Sequence, residues 1–246
     1  MSKRAMRLAE KYRPRKVEDF IGLPKIKAVV LNFLKNPYAA AFLFIGEPGV
    51  GKTAFAMAMA EALHSKPLHL ASETCNYDNL DKLLRELECH PTFWNGEHAK
   101  FHFVLIDEID STTQTAQRRL LAKLDASELV DNTVFVFTTN TVKSLDKRFT
   151  SRCIELEFSL WGAGQEVADF LGQVWKAEGG TGKEPDWSDV ISTCSSNRIP
   201  NVRACLQRVE RELLARGVNV VLADQVRINE VTNLPEIAPE LRPNCP

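Results

Sequence analysis

The feature that most constrains this chain is an eight-residue run that begins at Gly46 and fits the pattern G-x-x-x-x-G-K-[ST]. Its glycines let backbone N–H groups curl around a phosphate without a clash from a side chain. We expect Lys52 to place its ammonium group against the outer phosphates and the Thr53 hydroxyl to ligate Mg²⁺. The run therefore predicts a loop that binds a nucleoside triphosphate through Gly46, Glu47, Pro48, Gly49, Val50, Gly51, Lys52 and Thr53.

The segments on both sides of this loop favour the same interpretation. Residues 41–45 form a short apolar run, which is typical of a buried parallel strand. Residues 53–63 are rich in alanine and carry apolar side chains at near-helical spacing. A strand, a glycine loop and a helix in this order direct a helix N-terminus at an anion. A chance glycine turn would have to coincide with the whole motif and with both flanks.

A second element predicts the other half of a nucleotide site. The apolar run 101–106 is followed directly by Asp107 and Glu108, as in a Walker B element. We expect Asp107 to hold Mg²⁺, directly or through water, and Glu108 to polarise the water that attacks the γ-phosphate. An acidic turn after a core strand is the alternative, and the preceding loop makes it the weaker one. Asn140 follows the apolar run 133–138 and is a candidate to bind the γ-phosphate or the attacking water, although asparagine also favours turns.

Apolar, β-rich runs alternate with helical patterns through the first two thirds of the chain. The five runs are residues 42–45, 67–71, 101–106, 133–138 and 153–158. Strands that alternate with helices favour a parallel sheet covered on both faces. We therefore predict an α/β fold in which a five-stranded parallel sheet forms the core of the first domain.

The strand signal stops after residue 158, and the patterns that follow are helical. They cover residues 166–176, 187–194 and 202–216, and prolines then recur from residue 235 onwards. We predict a sheet domain with a basic N-terminal arm, a small all-helical lid domain and a proline-rich tail, over residues 1–159, 160–232 and 233–246 respectively.

The charge distribution is uneven along the chain. Residues 1–40 carry ten basic and three acidic residues, whereas the whole chain has a net charge of −1. A basic arm can meet the phosphate of a nucleotide or a nucleic acid, or it can be a solvated extension, and charge alone does not separate these readings. The sequence has no bilayer-length apolar segment and no secretory signal, so we expect a cytoplasmic protein, or one of the nucleoid or nucleus.

The cysteine pattern argues against a disulfide framework and against zinc. Six cysteines are scattered without C-x-x-C pairs, which suits reduced thiols. Cys89, His90, His98 and His102 lie close in sequence, but their spacing fits no tight ligand pattern, and we expect no metal there.

Four short segments together match the motif set of one ATPase family. They are EKYRP at residues 10–14 with FIG at 20–22, DEID at 107–110, SRC at 151–153 and PNVRACLQ at 200–207. They are similar to the KYRP segment, the DEAD box, the SRC motif and the GDxRxxLxxLQ lid segment of the clamp-loader branch of AAA+ ATPases. Over roughly residues 8–215 the chain thus resembles replication factor C small subunits and the related phage and bacterial loader ATPases.

The resemblance implies roles for individual residues. Asn140 would be sensor 1 and Arg203 sensor 2, and Arg152 would act as an arginine finger on the nucleotide of a neighbouring subunit. Without the resemblance, Arg152 reads as a member of a surface ion pair. Pro200 and Asn201 replace the usual Gly-Asp, so Arg198 remains an alternative for sensor 2. The edge of the adenine and phosphate site would be lined by Tyr12, Arg13 and Pro14.

The function implied by the resemblance is hydrolysis of ATP to ADP and phosphate, with Mg²⁺ as cofactor. The hydrolysis would switch conformations so that a sliding clamp is loaded on primer–template DNA during replication. Its partners would be other AAA+ subunits in a ring-like oligomer, the clamp and the DNA, with no membrane. No C-terminal collar is expected in this sequence, so subunit number stays open. The aromatic pair Phe93 and Trp94 is expected either to contact the clamp or to be buried under the sheet edge.

Two other functions remain open. One is another AAA+ remodelling ATPase, such as a branch-migration or replication-initiation motor, although such proteins usually append a winged-helix domain that does not fit in residues 217–246. The other is an ATP-binding scaffold whose partner subunits hydrolyse ATP. The presence of Lys52, Asp107 and Glu108 argues against the scaffold.

Overall fold

A computed structural model of the protein describes residues 7–75, 77–87, 93–94, 97–124 and 131–218. Its helices are α1 (Leu8–Lys11), α2 (Pro24–Lys35), α3 (Lys52–Ala62), α4 (Tyr77–Leu87), α5 (Gln114–Lys123), α6 (Lys147–Thr150), α7 (Gly164–Ala177), α8 (Trp187–Thr193) and α9 (Val202–Ala215). Its strands are β1 (Ala40–Gly46), β2 (Pro67–Leu70), β3 (Phe93–Trp94), β4 (Glu97–His98), β5 (His102–Ile106), β6 (Thr133–Thr139), β7 (Ile154–Phe158), β8 (Ser195–Ser196) and β9 (Ile199–Pro200). Short 3₁₀ turns cover Val17–Asp19, Ser72–Thr74 and Ile109–Ser111.

The main sheet has five strands in the order β2-β5-β6-β1-β7, and every neighbouring pair is parallel. Because the strands are parallel, their carboxyl ends lie at one edge, where ligands bind in folds of this type. Strand β6 lies between β5 and β1, so Val134 is in register with both Phe103 and Ala40. This order brings the ends of β1, β5 and β6 together, although they are far apart in sequence.

Alternating side chains of the strands form one apolar core on each face of the sheet. Phe42, Phe44 and Val136 pack with α3 on one face, whereas Phe135 and Phe137 pack with α4 and α5 on the other. All seven residues of β6 are buried, as expected of a central strand covered on both faces. The predicted α/β fold with a five-stranded parallel sheet is therefore confirmed.

Helices α7, α8 and α9 surround a third apolar cluster beside the sheet domain. Val174, Trp175 and Val209 are among its buried members, and Leu8 and Tyr12 of the N-terminal segment belong to the same cluster. The segment that the sequence assigned to the sheet domain thus packs against helices that follow the sheet. The domain boundaries themselves stay a prediction, since residues 219–246 lie outside the described part of the chain.

The short strands β3 and β4 pair antiparallel, with Phe93 opposite His98. The side chains of Phe93 and Trp94 lie outside the described residues, so their proposed contact with a clamp stays a prediction. Among the helices that the structure describes, none is both long and apolar enough to cross a membrane.

Candidate functional site

The loop between β1 and α3 has the backbone that its glycines allow. Gly49 and Gly51 have φ values of +81° and +98°, in the region that side chains rarely adopt. Gly46 is needed for a different reason, because a Cβ there would lie 2.3 Å from the backbone oxygen of Phe158 on β7. Gly49 and Gly51 thus allow a backbone that other residues rarely adopt, and Gly46 allows β1 and β7 to approach closely.

Lys52 opens α3 and is 8% exposed. Its Nζ donates to the backbone oxygens of Gly46 and Glu47 at 2.6 and 3.0 Å and to Oδ1 of Asn140 at 2.9 Å. Burial lowers the pKa of Lys52, and nearby carboxylates oppose that shift, those of Asp110, Glu108, Asp107 and Glu47. The structure therefore links the predicted phosphate-binding lysine directly to the predicted sensor asparagine.

Asp107 lies at the end of β5, and both of its carboxylate oxygens have partners. Thr53 Oγ1 and Thr138 Oγ1 donate to Oδ1 at 3.0 and 2.9 Å. Nε2 of His69 lies 2.8 Å from Oδ2. Thr138 and His69 were not predicted from the sequence, because both lie within strand segments and neither belongs to a motif.

The residues around Asp107 suit Mg²⁺. Mg²⁺ in nucleotide sites is bound by one or two protein oxygens, together with water and substrate phosphates. The Thr53 hydroxyl and the Asp107 carboxylate, which are hydrogen-bonded to each other, provide such a pair. The described residues contain no group of three or more His, Cys, Asp or Glu side chains that could form an all-protein metal site. A cation at Asp107 would therefore take its remaining ligands from water and from the phosphates of a nucleotide.

Glu108 has an unusual backbone for a residue with a side chain. Its φ and ψ angles are 52° and 51°, and the left-handed region is uncommon outside glycine, asparagine and aspartate. Its backbone N–H donates to Oγ1 of Thr138 at 3.0 Å. Strained backbone of this kind concentrates at functional sites, where the surrounding structure holds it in place. The Thr138 hydroxyl thus donates to the Asp107 carboxylate and accepts from the backbone N–H of Glu108.

The site opens into a cavity of about 630 Å³ between the sheet edge and the helical cluster. This volume lies within the range of small-molecule sites, roughly 300–1,000 Å³. The N-terminal segment contributes Tyr12, Arg13 and Pro14 to its wall, and α9 contributes Arg203, Leu206 and Gln207. The sheet edge contributes Pro48, Gly49, Val50, Gly51, Lys52, Thr53, Asp107, Glu108, Thr138 and Asn140. Arg198 is exposed and does not line this cavity, so the position of Arg203 favours it over Arg198 as the cationic residue of the lid side.

Asn201, which the sequence marked only as a departure from the family pattern, has two structural roles. Its side chain caps α9 by accepting a hydrogen bond from the backbone N–H of Ala204 at 3.0 Å. It also lies so close to the loop that a Cβ on Gly49 would be 1.9 Å from its Oδ1. Nearby, Nδ2 of Asn197 donates to Oε1 of Glu47 at 3.1 Å. The helical cluster thus contacts the phosphate-binding loop directly.

A buried polar group connects the N-terminal segment to α7. Glu178, at the end of α7, accepts hydrogen bonds from Lys11 Nζ at 2.6 Å and from the Tyr12 hydroxyl at 2.5 Å, both at Oε1. Burial and the hydrogen bond to Glu178 raise the pKa of Tyr12 above its ordinary value. The Tyr12 ring lies edge-on to that of Phe170 on the same helix, with centroids 6.3 Å apart. One wall of the cavity is therefore fixed to the lid helices.

Arg152 lies apart from these residues. It follows α6 and precedes β7, its Nη1 donates to the backbone oxygen of Arg148 at 2.9 Å, and it is not among the residues that line the cavity. The adjacent Cys153 is not an activated nucleophile, since burial and the charge of Glu155 raise the pKa of its thiol to about 12.

Comparison with known proteins finds one matching family model and several similar proteins. Residues 42–160 match the model of the ATPase family associated with various cellular activities (AAA). A replication factor C small subunit 1 from Pyrobaculum islandicum is 28% identical over 93% of this chain and 70% of its own length. A replication factor C small subunit from Methanocella arvoryzae is 28% identical over 69% of this chain, and a probable replication factor C subunit 5 from Caenorhabditis elegans is 27% identical over 61%. The chain spans about half the length of the latter two, 53% and 44%.

Solved structures with a similar fold include the RuvB Holliday junction branch migration motor of Thermotoga maritima. It is 18% identical, with a TM-score of 0.65, over 85% of this chain and 70% of the motor. At this identity the match concerns the fold alone. The family match over residues 42–160 and the curated relatives show that the chain contains an AAA-type ATPase domain and is similar to replication factor C small subunits.

Proposed function

We propose that this protein is an ATP-hydrolysing subunit of a sliding-clamp loader, which uses ATP as a conformational switch to load a clamp on primed DNA. One observation carries the proposal. The groups needed to bind and hydrolyse ATP meet in one cavity, whereas Arg152 of the SRC motif lies outside that cavity. The arginine finger of such sites is supplied either by the same chain or by a partner, and in this proposal a neighbouring subunit supplies it. We infer the clamp and the DNA as partners from the similarity to replication factor C small subunits.

In this proposal the sheet-edge residues carry out the chemistry. Lys52 contacts the outer phosphates and gives up some of its present contacts with the loop oxygens and Asn140. Asn140, next to Lys52, positions the γ-phosphate or the attacking water. Glu108 accepts the proton of that water, a role in which general bases contribute typically 10²–10⁴-fold to the rate. Thr53 and Asp107 would hold Mg²⁺, which neutralises negative charge on the phosphates when bound.

The lid side and the neighbouring subunit then control the reaction. Arg203 on α9 faces the same cavity as Lys52, so a triphosphate in the cavity would attract it and draw the lid closed. Arg152 would contribute positive charge to the site of the next subunit, where negative charge spreads in the transition state. A subunit with this function would act on DNA in the cytoplasm, the nucleoid or the nucleus.

Clamp retention on closed DNA tests the proposal. Labelled sliding clamp from the same organism is incubated with primed circular DNA, this protein and ATP, and the DNA is then separated by gel filtration. We expect ATP-dependent retention of the clamp on circular DNA and its loss when the DNA is linearised, because a loaded clamp slides off an end. The matched control is Lys52→Ala, which should retain no clamp.

An absence of retention by a protein that hydrolyses ATP at a normal rate would contradict clamp loading. The same preparation would then be assayed on a four-way DNA junction, because the fold is shared with the Thermotoga maritima branch migration motor. ATP-dependent resolution of the junction into duplexes would support the second candidate, a branch-migration ATPase.

A further inference from the structure

The carboxylate of Asp107 has hydrogen-bond partners on both of its oxygens. The hydroxyls of Thr53 and Thr138 donate to Oδ1 at 3.0 and 2.9 Å. Nε2 of His69 contacts Oδ2 at 2.8 Å. An ionised carboxylate only accepts hydrogen bonds, so this contact requires the proton to be on Nε2. The imidazole therefore holds the oxygen that the two threonines do not.

The position of His69 in the sheet explains how a residue of a different strand reaches Asp107. His69 is in register with Leu105 in the parallel pair of β2 and β5, and the backbone N–H of Asp107 donates to Leu70 at 3.1 Å. Leu68 and Leu70 pack against the apolar core on one face, so His69 lies on the other face. That face carries α3 and the phosphate-binding loop.

The side chain of His69 is 41% exposed, so the apolar core does not account for its orientation. Strand β2 is at the edge of the sheet, so its side chains have a neighbouring strand of the sheet on one side only. What orients the ring is its contact with Asp107. A histidine in this position thus acts on the Walker B carboxylate rather than on the packing of the sheet.

We propose that His69 is a positioning residue that fixes the rotation of the Asp107 carboxylate, so that Oδ1 is directed at Thr53 and at the Mg²⁺ of the nucleotide. The proposal rests on the proposed ATP site and adds a residue to it. The terminal torsion of aspartate is broad, so a carboxylate without a partner on Oδ2 samples orientations that do not serve the metal. Loss of a hydrogen-bond partner of a metal ligand typically lowers metal affinity about 10–100-fold.

Metal binding to the ATP complex tests this role without relying on turnover. The protein carries Glu108→Gln, which preserves bound ATP, and Mn²⁺ is titrated as a paramagnetic substitute for Mg²⁺ and measured by electron paramagnetic resonance. ATP affinity is measured separately in EDTA. The variants are His69→Ala and His69→Gln. The control is Lys66→Ala, because Lys66 is exposed and lies just before β2.

We expect His69→Ala to weaken Mn²⁺ binding to the ATP complex about 10–100-fold while leaving metal-free ATP affinity unchanged. His69→Gln should restore most of the affinity, because its amide N–H lies near the position of Nε2. Lys66→Ala should match the parent. Parental Mn²⁺ affinity in a folded His69→Ala variant would overturn the proposal, as would equal losses of Mn²⁺ and metal-free ATP affinity. An absence of ATP-dependent Mn²⁺ binding in the parent would overturn the proposed ATP site and, with it, this role.

Discussion

The two sides of the nucleotide cavity are built differently. On the sheet side, Asp107 and Asn140 follow neighbouring strands and Lys52 opens α3, and hydrogen bonds hold all three in place. On the lid side, Arg203 extends from α9, which reaches the loop through the contacts of Asn201 and Asn197. Sheet residues are thus positioned before a ligand arrives, whereas the position of Arg203 depends on how the lid sits against the loop.

In the proposed function, the sheet side carries out the chemistry and the lid side senses the nucleotide. Preorganised groups contribute most when their geometry does not change during the reaction. A lid that binds one nucleotide state more tightly than another shifts between conformations by that difference in affinity. Changes on the sheet side should therefore affect turnover, and changes on the lid side should affect nucleotide affinity and stability.

Glu108→Gln should abolish turnover while preserving ATP binding. An amide keeps the shape of the side chain but cannot accept the proton of water, so we expect a rate about 10²–10⁴-fold lower. Phosphate release and equilibrium ATP binding are measured on the same preparation. Glu61→Gln, an exposed position on α3, is the matched control. Unchanged turnover in Glu108→Gln would assign the chemistry to another residue.

Glu178→Ala should destabilise the connection between the N-terminal segment and the lid. It leaves Lys11 unpaired in a site where the two side chains are 6% and 3% exposed. Breaking a buried pair in this way costs about 3–5 kcal/mol. Thermal unfolding should show a clearly lower midpoint. Glu212→Ala removes the half-exposed Arg208–Glu212 pair of α9 and should cost only about 0.3–0.5 kcal/mol. Equal shifts for both variants would show that the buried pair contributes no special stability.

Arg203→Ala should weaken binding of ATP more than that of ADP, because the guanidinium group is proposed to contact the outer phosphate. A hydrogen bond to a charged group contributes about 1.5–3 kcal/mol, which corresponds to roughly 10–150-fold in affinity. Fluorescent nucleotide competition gives both dissociation constants. Arg198→Ala is the control, since Arg198 does not line the cavity. A larger effect of Arg198→Ala would show that Arg198, and not Arg203, is the lid residue that contacts the phosphate.

Asn201→Ala should have the smallest effect of the four. Loss of the cap of α9 costs about 0.5–2 kcal/mol, seen as a modest fall of the unfolding midpoint. Asn201→Asp keeps an oxygen for the Ala204 N–H and should retain that stability. Asn197→Ala removes an exposed hydrogen bond to Glu47 and should change the midpoint less. A midpoint for Asn201→Ala equal to that of the parent would exclude the cap as a stabilising contact.

The sequence predicted the sheet side of the site more completely than the lid side. The loop, Asp107 and Asn140 each follow a strong apolar run, so their place at a strand end could be inferred before the strand order was known. His69 could not be found this way, because its partner is decided by the pairing of β2 with β5.

On the lid side, long-range packing decided what the sequence pattern did not show. Asn201 was noticed only as a departure from a motif, yet it caps α9 and contacts Gly49. Leu8 and Tyr12 precede the lid helices with which they pack by more than 150 residues, because α7 begins at Gly164, and local patterns contain no information on such contacts. Short strands β8 and β9 were also missed, because two-residue strands have no measurable periodicity.

Steady-state ATP hydrolysis distinguishes a loader ATPase, with a site shared between subunits, from an ATPase that works alone. Rates are measured with and without primed DNA and the sliding clamp, for the parent protein and for Arg152→Ala. We expect strong stimulation by DNA and clamp together, and loss of that stimulation in Arg152→Ala. A rate that is indifferent to DNA and clamp, or that is equally stimulated in Arg152→Ala, would contradict it.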